Sequence, residues 1–245
     1  MDSARRERAY VRVHGPDAVD YLNRMLTNDV PERGSVDALL LTPKARVIAP
    51  VLVWRRAADD VLLLTEPELG EALRGQLLRM RFAAKCGIEL EEHTSTIVLG
   101  GAEGIPNRDY GVEAVEVLDA DVEARGGVDL ERLRIEARTP VYGREIDDRV
   151  LPAEAGLDER AISFTKGCYP GQEPVARQHY RGKVNRRLRV LEVEGVPAPE
   201  TPVVLGEKEV GRITSAVEGL ALGYVRAEVP TDAELTVAGA RARLR

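Results

Sequence analysis

The stretch that follows Gly182 consists of short apolar segments separated by turn-forming residues, and it constrains the fold more than any other part of the chain. Each of its six segments is three to six residues long, which is typical of strands. Six short strands at this spacing predict a small antiparallel barrel or sandwich. The predicted strands are residues 188–193, 203–205, 210–215, 221–225, 235–237 and 240–244.

Upstream of these strands the pattern mixes helical and strand periodicity, which predicts an α+β region. Asp17 precedes an apolar stripe at helical spacing, and Asp129 precedes a second short helix; aspartate is a common helix cap. The change of pattern places a domain boundary near Lys183, with domains at 1–183 and 184–245. The predicted elements are strands at 9–13, 39–41, 47–54, 61–65, 88–92, 97–99 and 112–118, and helices around Leu22, around Leu73 and after Asp129.

Composition describes an ordinary soluble globular protein, with 44% apolar and 31% charged residues. No apolar run approaches the ~18 residues of a membrane span. Residues 5–8 are all charged and no apolar segment follows them, so we expect no signal peptide and a cytoplasmic location. A net charge of −6 argues against a general polyanion binder.

One segment opposes that acidic balance. Such a basic strip could meet a ligand carboxylate or an RNA backbone, and the alternative is a solvated strand and loop. Its six cations are Arg177, Arg181, Lys183, Arg186, Arg187 and Arg189.

The chain has two cysteines, Cys86 and Cys168, and three histidines. No pair has the C-x-x-C or H-x-x-x-H spacing of a metal site, so we expect no zinc or iron–sulfur cage built by one chain. A cytoplasmic location also argues against a disulfide.

Residues 166–173 read K-G-C-Y-P-G-Q-E and place the Cys168 thiol between two glycines. Gly171 permits a tight turn or a close approach to a ligand, and Pro170 makes that turn stiff. An ammonium near a thiol favours the thiolate, which is the nucleophile and the soft metal ligand. Lys166 and Cys168 are therefore predicted as a reactive pair. The alternative is a buried turn in which the cysteine is a small hydrophobic residue.

This octapeptide matches the signature K-G-C-[aromatic]-x-G-Q-E, and the chain resembles the YgfZ-type folate-binding proteins. These are relatives of the glycine-cleavage T-protein, an aminomethyltransferase, and are linked to iron–sulfur cluster assembly or repair. The resemblance extends along most of the chain. Supporting matches lie at residues 13–18, 26–30, 134–136, 140–143, 213–215 and 221–225.

The resemblance implies an α+β fold: a T-protein-like ring of α+β subdomains around a central channel that holds tetrahydrofolate, with a C-terminal antiparallel β-barrel. Glu136 is carried over as the residue that contacts the pterin, and Tyr142 or Tyr169 could stack on it. Arg177 is the candidate cation for the folate carboxylates. The remaining cofactor-binding candidates from the signature are Gly171, Gln172 and Glu173.

Two departures from the family pattern concern the same site. Ala49 and Pro50 stand where aminomethyltransferases keep an aspartate, so the glycine-cleavage reaction is expected to be lost. Arg138 replaces the glycine of R-I-E-x-G and is expected to add bulk beside the pterin wall.

The first functional hypothesis is a folate-binding accessory factor that supports iron–sulfur cluster assembly or repair and acts through Cys168. Its partners would be iron–sulfur client or assembly proteins, and no membrane. Cys168 could ligate a cluster, exchange thiols or sense oxidation.

The alternative is a folate-dependent one-carbon transferase, for which Asp29 and Glu173 are the candidate acid–base residues. A third reading pairs Cys168 with His179 as a hydrolase or transferase, although no third orienting residue is indicated.

Overall fold

The computed structural model describes residues 2–101, 103–120 and 128–245. Within these residues two antiparallel sheets and several helices precede a closed barrel, which confirms the predicted α+β class. The elements of the first part are β1 (Ser3–Arg5), β2 (Ala9–His14), α1 (Ala18–Met25), β3 (Ser35–Leu41), β4 (Val47–Ala57), β5 (Asp60–Thr65), α2 (Gly70–Met80), β6 (Gly87–Glu91), β7 (Ser95–Leu99), β8 (Ile105–Asn107), β9 (Ala114–Leu118), α3 (Leu130–Glu136) and α4 (Gln172–Arg181). The barrel strands are β10 (Arg186–Glu192), β11 (Pro202–Leu205), β12 (Lys208–Val217), β13 (Leu220–Arg226), β14 (Leu235–Val237) and β15 (Ala240–Leu244).

The larger sheet has the strand order β3-β4-β5-β2-β6, and α1 and α2 pack their apolar stripes into one core with it. Leu22 on α1 and Leu73 and Leu77 on α2 are fully buried, as their helical spacing predicted. The Tyr21 hydroxyl donates to the carbonyl oxygen of Leu77 over 2.6 Å, which ties the two helices together. The smaller sheet has the order β1-β7-β9-β8.

Of the two predicted helix caps, Asp129 is confirmed and Asp17 is not. Asp129 accepts a hydrogen bond from the amide of Arg132 over 2.9 Å and so caps α3, as predicted. Asp17 makes no side-chain cap to α1, so that prediction is wrong. Its carboxylate accepts instead from the amide of Lys85 over 2.7 Å, because the chain before β6 folds back across the start of α1.

The six C-terminal strands close into an antiparallel barrel with the order β10-β13-β12-β11-β14-β15, which confirms the predicted strands. Two glycines let neighbouring strands of the barrel approach each other closely. A Cβ on Gly211 would lie 2.2 Å from the carbonyl oxygen of Tyr224, and one on Gly223 would lie 2.5 Å from that of Arg212.

Glu145 fixes the barrel to the preceding region. Its fully buried carboxylate accepts from Ser215 over 2.6 Å and from Arg134 over 3.1 Å. Its carbonyl oxygen accepts from the Tyr224 hydroxyl over 2.7 Å. Because a buried carboxylate is costly without partners, this contact requires α3 and the barrel to be in place together.

The sequence pattern missed α4: no helix was predicted after Gly171, and a solvated strand and loop was one of the two interpretations of the basic strip that begins at Arg177. Pro174 sits in the first turn of this helix, where its missing N–H needs no helical acceptor. Glu173 in the first turn and Arg181 in the last are helix signals that the pattern contained.

Arg138, which stands where the family pattern has glycine, ends helix α3. The amide of Arg138 donates to Ile135 over 2.9 Å and that of Thr139 to Arg134 over 3.0 Å, which is a Schellman motif. The motif needs a left-handed residue, and Arg138 has a φ of 57°. Its side chain lies in solvent rather than beside a cavity wall, contrary to the expectation.

Arg138→Gly is expected to raise the free energy of unfolding by about 0.5–1 kcal/mol. It removes about 1–2 kcal/mol of left-handed strain and adds a smaller entropic cost from the unfolded chain. Urea denaturation measures the change. Arg132→Gly, inside the same helix, is the control and should lower stability by about 1 kcal/mol. Loss of stability in Arg138→Gly would contradict the assignment.

Candidate functional site

Cys168 is exposed, on the loop that leads into α4, whereas Cys86 is buried. Two residues before the thiol, the Lys166 side chain enters the protein and is only 1% exposed. Its ammonium donates to the carbonyl oxygens of Leu26 over 2.9 Å and Asn28 over 3.0 Å, at the end of α1. The loop is thereby held on one side.

Burial lowers the pKa of Lys166, although the Asp29 carboxylate 3.6 Å away opposes that shift. Within the described residues no hydrogen bond joins Lys166 to Cys168. The structure thus shows Lys166 bound at the end of α1, and its predicted action on the thiol stays a prediction.

The other side of the loop is held by Gly171 and Tyr169. Gly171 has a φ of 85°, and a Cβ there would lie 2.6 Å from the carbonyl oxygen of Thr42 in the β3–β4 turn. Tyr169 is buried, which raises its pKa to about 12, and the Lys166 ammonium lies 5.7 Å from its ring centre. The exposed thiol therefore sits on a loop whose neighbours are fixed.

The rest of the signature faces outward along α4. Gln172 is half-buried at the first helical position. The Glu173 side chain is 84% exposed and accepts from Arg177, itself 72% exposed, over 2.9 Å. These residues do not enclose a ligand.

A cavity of about 50 Å³ lies where the two sheets meet the chain after α3. Aliphatic side chains form one wall and charged side chains the other. No residue of 166–173 is among those that line it. The lining residues are Arg6, Arg8, Asp37, Ala38, Leu39, Pro50, Val51, Leu52, Leu64, Glu66, Asp109, Thr139, Pro140, Leu157, Arg160 and Ala161.

Asp109 is the centre of the charged wall. Its carboxylate pairs with Arg6 at 2.6 Å, with Arg8 at 3.4 Å and with Arg160. Arg160 also donates to Asp37 over 2.7 Å. Burial alone would raise the pKa of Asp109, but the three guanidinium groups outweigh it and hold that pKa well below its usual range.

A second buried carboxylate lies behind the first. Glu116 is fully buried on β9 and accepts from Arg8 over 3.1 Å, from Ser95 over 2.6 Å and from Asn107 over 3.1 Å. Its pKa is also lowered, because Arg8 and these hydrogen bonds outweigh the opposing effect of burial. Both carboxylates stay ionised and are poor proton acceptors.

The residues predicted to hold a pterin are not brought together at this cavity. Glu136 points toward the barrel side and lies 3.4 Å from Arg132 and 3.8 Å from Arg245. Tyr142 is half-buried between two apolar clusters. Neither lines the cavity.

Sequence reasoning missed the charged residues that do line the cavity. One signal was present for a lining residue: Asp37 interrupts an apolar strand, as does Glu116 behind the wall, and a charge in such a place is often paired and buried. Arg6 and Arg160 gave no local signal, since their partners lie far away in the sequence.

Comparison with known proteins gives three kinds of match. The family described as "CAF17, C-terminal beta-barrel domain" matches residues 185–245. An aminomethyltransferase of Moorella thermoacetica is 38% identical over an alignment that covers 87% of this chain and 73% of the relative. An iron–sulfur cluster assembly factor IBA57 homolog, mitochondrial, from Pyricularia oryzae is 26% identical and is aligned over 95% of this chain and 73% of its own length.

The fold has a solved counterpart. The glycine cleavage system aminomethyltransferase T from Bartonella henselae superposes with a TM-score of 0.81 at 19% identity, over 97% of this chain and 82% of that one. This confirms the predicted T-protein-like fold. Among the described residues, no helix combines the length and apolarity that a bilayer crossing requires.

Cys168 is expected to react with Ellman's reagent at once in the native protein, and Cys86 only after unfolding. Burial shields Cys86 and raises the pKa of its thiol, so less thiolate is present. Absorbance at neutral pH should show one fast thiol in the wild type and none in Cys168→Ser. Both thiols should react in guanidinium chloride; two fast native thiols would contradict the structure.

Proposed function

Because the chain belongs to the aminomethyltransferase family, in which it carries a CAF17-type barrel, we propose that it supports the assembly or repair of iron–sulfur clusters in client proteins through Cys168. The observation that carries the proposal is the exposed thiol on a loop held by Lys166 and Gly171. A likeness to a named iron–sulfur cluster assembly factor over nearly the whole chain supports it.

The chemistry follows from one accessible sulfur. A thiolate is a soft ligand that suits iron–sulfur clusters, and Cys168 would release its proton to water when it binds. One thiolate cannot hold a cluster, which needs about four such ligands. The other ligands would come from a client or scaffold protein, so the cluster is cargo passing through a complex.

One-carbon transfer by this chain is not favoured. Pro50 lines the cavity, where a reacting nitrogen would need an acid or base, and Asp109 and Asp37 are neutralised by arginines. The acid–base candidates Asp29 and Glu173 lie outside the cavity, with side chains 55% and 84% exposed.

A reduced folate is the ligand we propose for the cavity, because the chemistry of the lining fits it. Leu39, Val51 and Leu64 offer an apolar wall for a ring system, and Asp37 offers a carboxylate for the N–H groups of an aminopyrimidine. Arg6 is a cation for the folate carboxylates. When bound, a reduced folate supplies a carrier for one-carbon groups.

The volume of the cavity sets a second condition for folate binding. A volume of about 50 Å³ holds roughly four water molecules, whereas small-molecule sites typically measure about 300–1,000 Å³. Binding therefore requires the arginine–carboxylate pairs of the charged wall to open. No step of the cluster-related proposal depends on a bound folate.

Cys168→Ala is expected to abolish the activity of iron–sulfur client enzymes in a strain that lacks the native gene, since it removes the accessible ligand. Folding should be unchanged because the side chain is exposed. Client activity and the thermal midpoint of the purified variant are the measurements. Cys86→Ala is the control and should keep activity. Full complementation by Cys168→Ala would refute the proposal.

Asp37→Asn is expected to weaken tetrahydrofolate binding at least fivefold in calorimetry, because a charged acceptor of N–H bonds is lost. Glu136→Gln should leave the affinity unchanged, since Glu136 does not line the cavity. The reverse result would restore Glu136 as the pterin contact. Absence of any binding to the wild type would exclude folate as the ligand.

A further inference from the structure

We propose that the outward face of α4 and the segment after it form a docking surface for an acidic iron–sulfur protein. The identity of this partner rests on the proposed function; the surface itself does not. We call it the cationic face. Its residues are Arg177, Tyr180, Arg181, Lys183 and Arg187.

Charge is the first argument. Residues 174–191 contain six cations and no carboxylate, although the whole chain has a net charge of −6. Arg186 is used internally, since it pairs with Glu154 at 3.1 Å and lies over the Tyr224 ring. Arg181, Lys183 and Arg187 are exposed and make no ion pair with any described residue. Unpaired cations on an acidic protein are complementary to a negative partner.

Helix geometry gathers this charge on one side. Tyr180 and Arg181 lie three and four residues after Arg177 along α4, so each shares a face with it. Arg177 is 72% exposed. Beyond the helix, Lys183 and Arg187 line an adjoining hollow of about 710 Å³ together with Gln178. The surface therefore continues past the end of the helix.

Tyr180 is the aromatic residue of this surface and is 69% exposed. Its ring packs edge-on against His179 at 4.9 Å, and His179 stacks on Phe164 at 3.8 Å. The contact with His179 thus orients the exposed ring of Tyr180. Tyrosine and arginine are the residues most enriched at the energetic centres of protein interfaces, where rigid aromatic anchors lose little entropy.

The charges at the border favour a protein over a nucleic acid. Glu173 stands on the same helical face and is 84% exposed. The adjoining hollow also contains Asp158, Glu159 and Glu228. A phosphate backbone would be repelled by these carboxylates, whereas a protein surface can match charges of both signs.

The docking surface lies close to Cys168 along the chain. The helix begins four residues after the thiol and spans about 15 Å, so a protein docked along it lies beside the loop. Such a partner could supply the remaining cluster ligands that one cysteine lacks.

A photo-crosslinking residue at position 180 of the full chain, expressed in cells, tests the surface. The expected adduct is an acidic protein that carries an iron–sulfur cluster. Val196, which is 59% exposed on the barrel side, is the control position and should give no such adduct. An RNA adduct, no adduct, or the same adduct from position 196 would overturn the inference.

Affinity for the captured protein, purified and titrated against the full chain, is the second measurement. Arg181→Glu with Lys183→Glu should weaken binding at least tenfold and reduce its salt dependence; neither side chain makes an ion pair with any residue that the structure describes. Arg241→Glu with Arg243→Glu, exposed barrel positions with the same charge change, should have no effect. Equal affinity of both variants would overturn the inference.

Cys168→Ala separates the two proposals. It should keep the crosslink at position 180 while client activity is lost. If Cys168→Ala retains client activity, the proposed function fails while the docking surface stands. If Cys168→Ala loses that activity while the charge reversal keeps both activity and affinity, the docking surface fails alone.

Discussion

The ionised carboxylate of Asp109 joins three separate parts of the chain, and the shape of the cavity depends on it. Arg6 comes from the connection between the first two strands, and Arg160 comes from the loop after α3. Through Arg160 the contact reaches Asp37 on β3. Removing one partner would leave a buried charge without compensation, which costs several kcal/mol, about 3–5 in measured cases. These segments therefore hold one another in register, and the interior volume stays small while the pairs persist.

The sequence placed the thiol and the folate site together, whereas in the structure Cys168 does not line the cavity. The cavity lies inside, between an aliphatic wall and the arginine–carboxylate wall. The Cys168 sulfur lies outside, on a loop held by the buried Lys166 ammonium and by Gly171, where a Cβ would lie 2.6 Å from a backbone carbonyl oxygen. A ligand inside the cavity would have no direct contact with the thiol. Any influence of one on the other would pass through α1 and the β3–β4 turn, on which the loop rests.

Local patterns predicted the barrel well, because each strand is a short apolar segment bounded by turn-forming residues. They failed where the determining contact is remote. Arg160 and Asp109 are 51 residues apart, and nothing near either predicts the pair. Asp37 and Glu116 were detectable in principle as charges inside apolar strands. The family resemblance predicted the fold, which is confirmed, whereas the roles it gave Cys168 and Glu136 stay predictions; Glu136 does not line the cavity. At position 138 the determining local feature is the left-handed backbone that ends α3.

Glu145 connects the two regions on either side of the predicted boundary near Lys183. Sequence pattern changes there, yet the carboxylate that satisfies Ser215 on the barrel belongs to the preceding region and also holds Arg134. A barrel cut out of the chain would keep its strands but lose the acceptors for two buried hydroxyls. We therefore expect the regions before and after Lys183 to unfold together, although the sequence pattern changes there. The short segment around Glu145, which precedes that boundary, therefore completes the hydrogen bonding of the barrel.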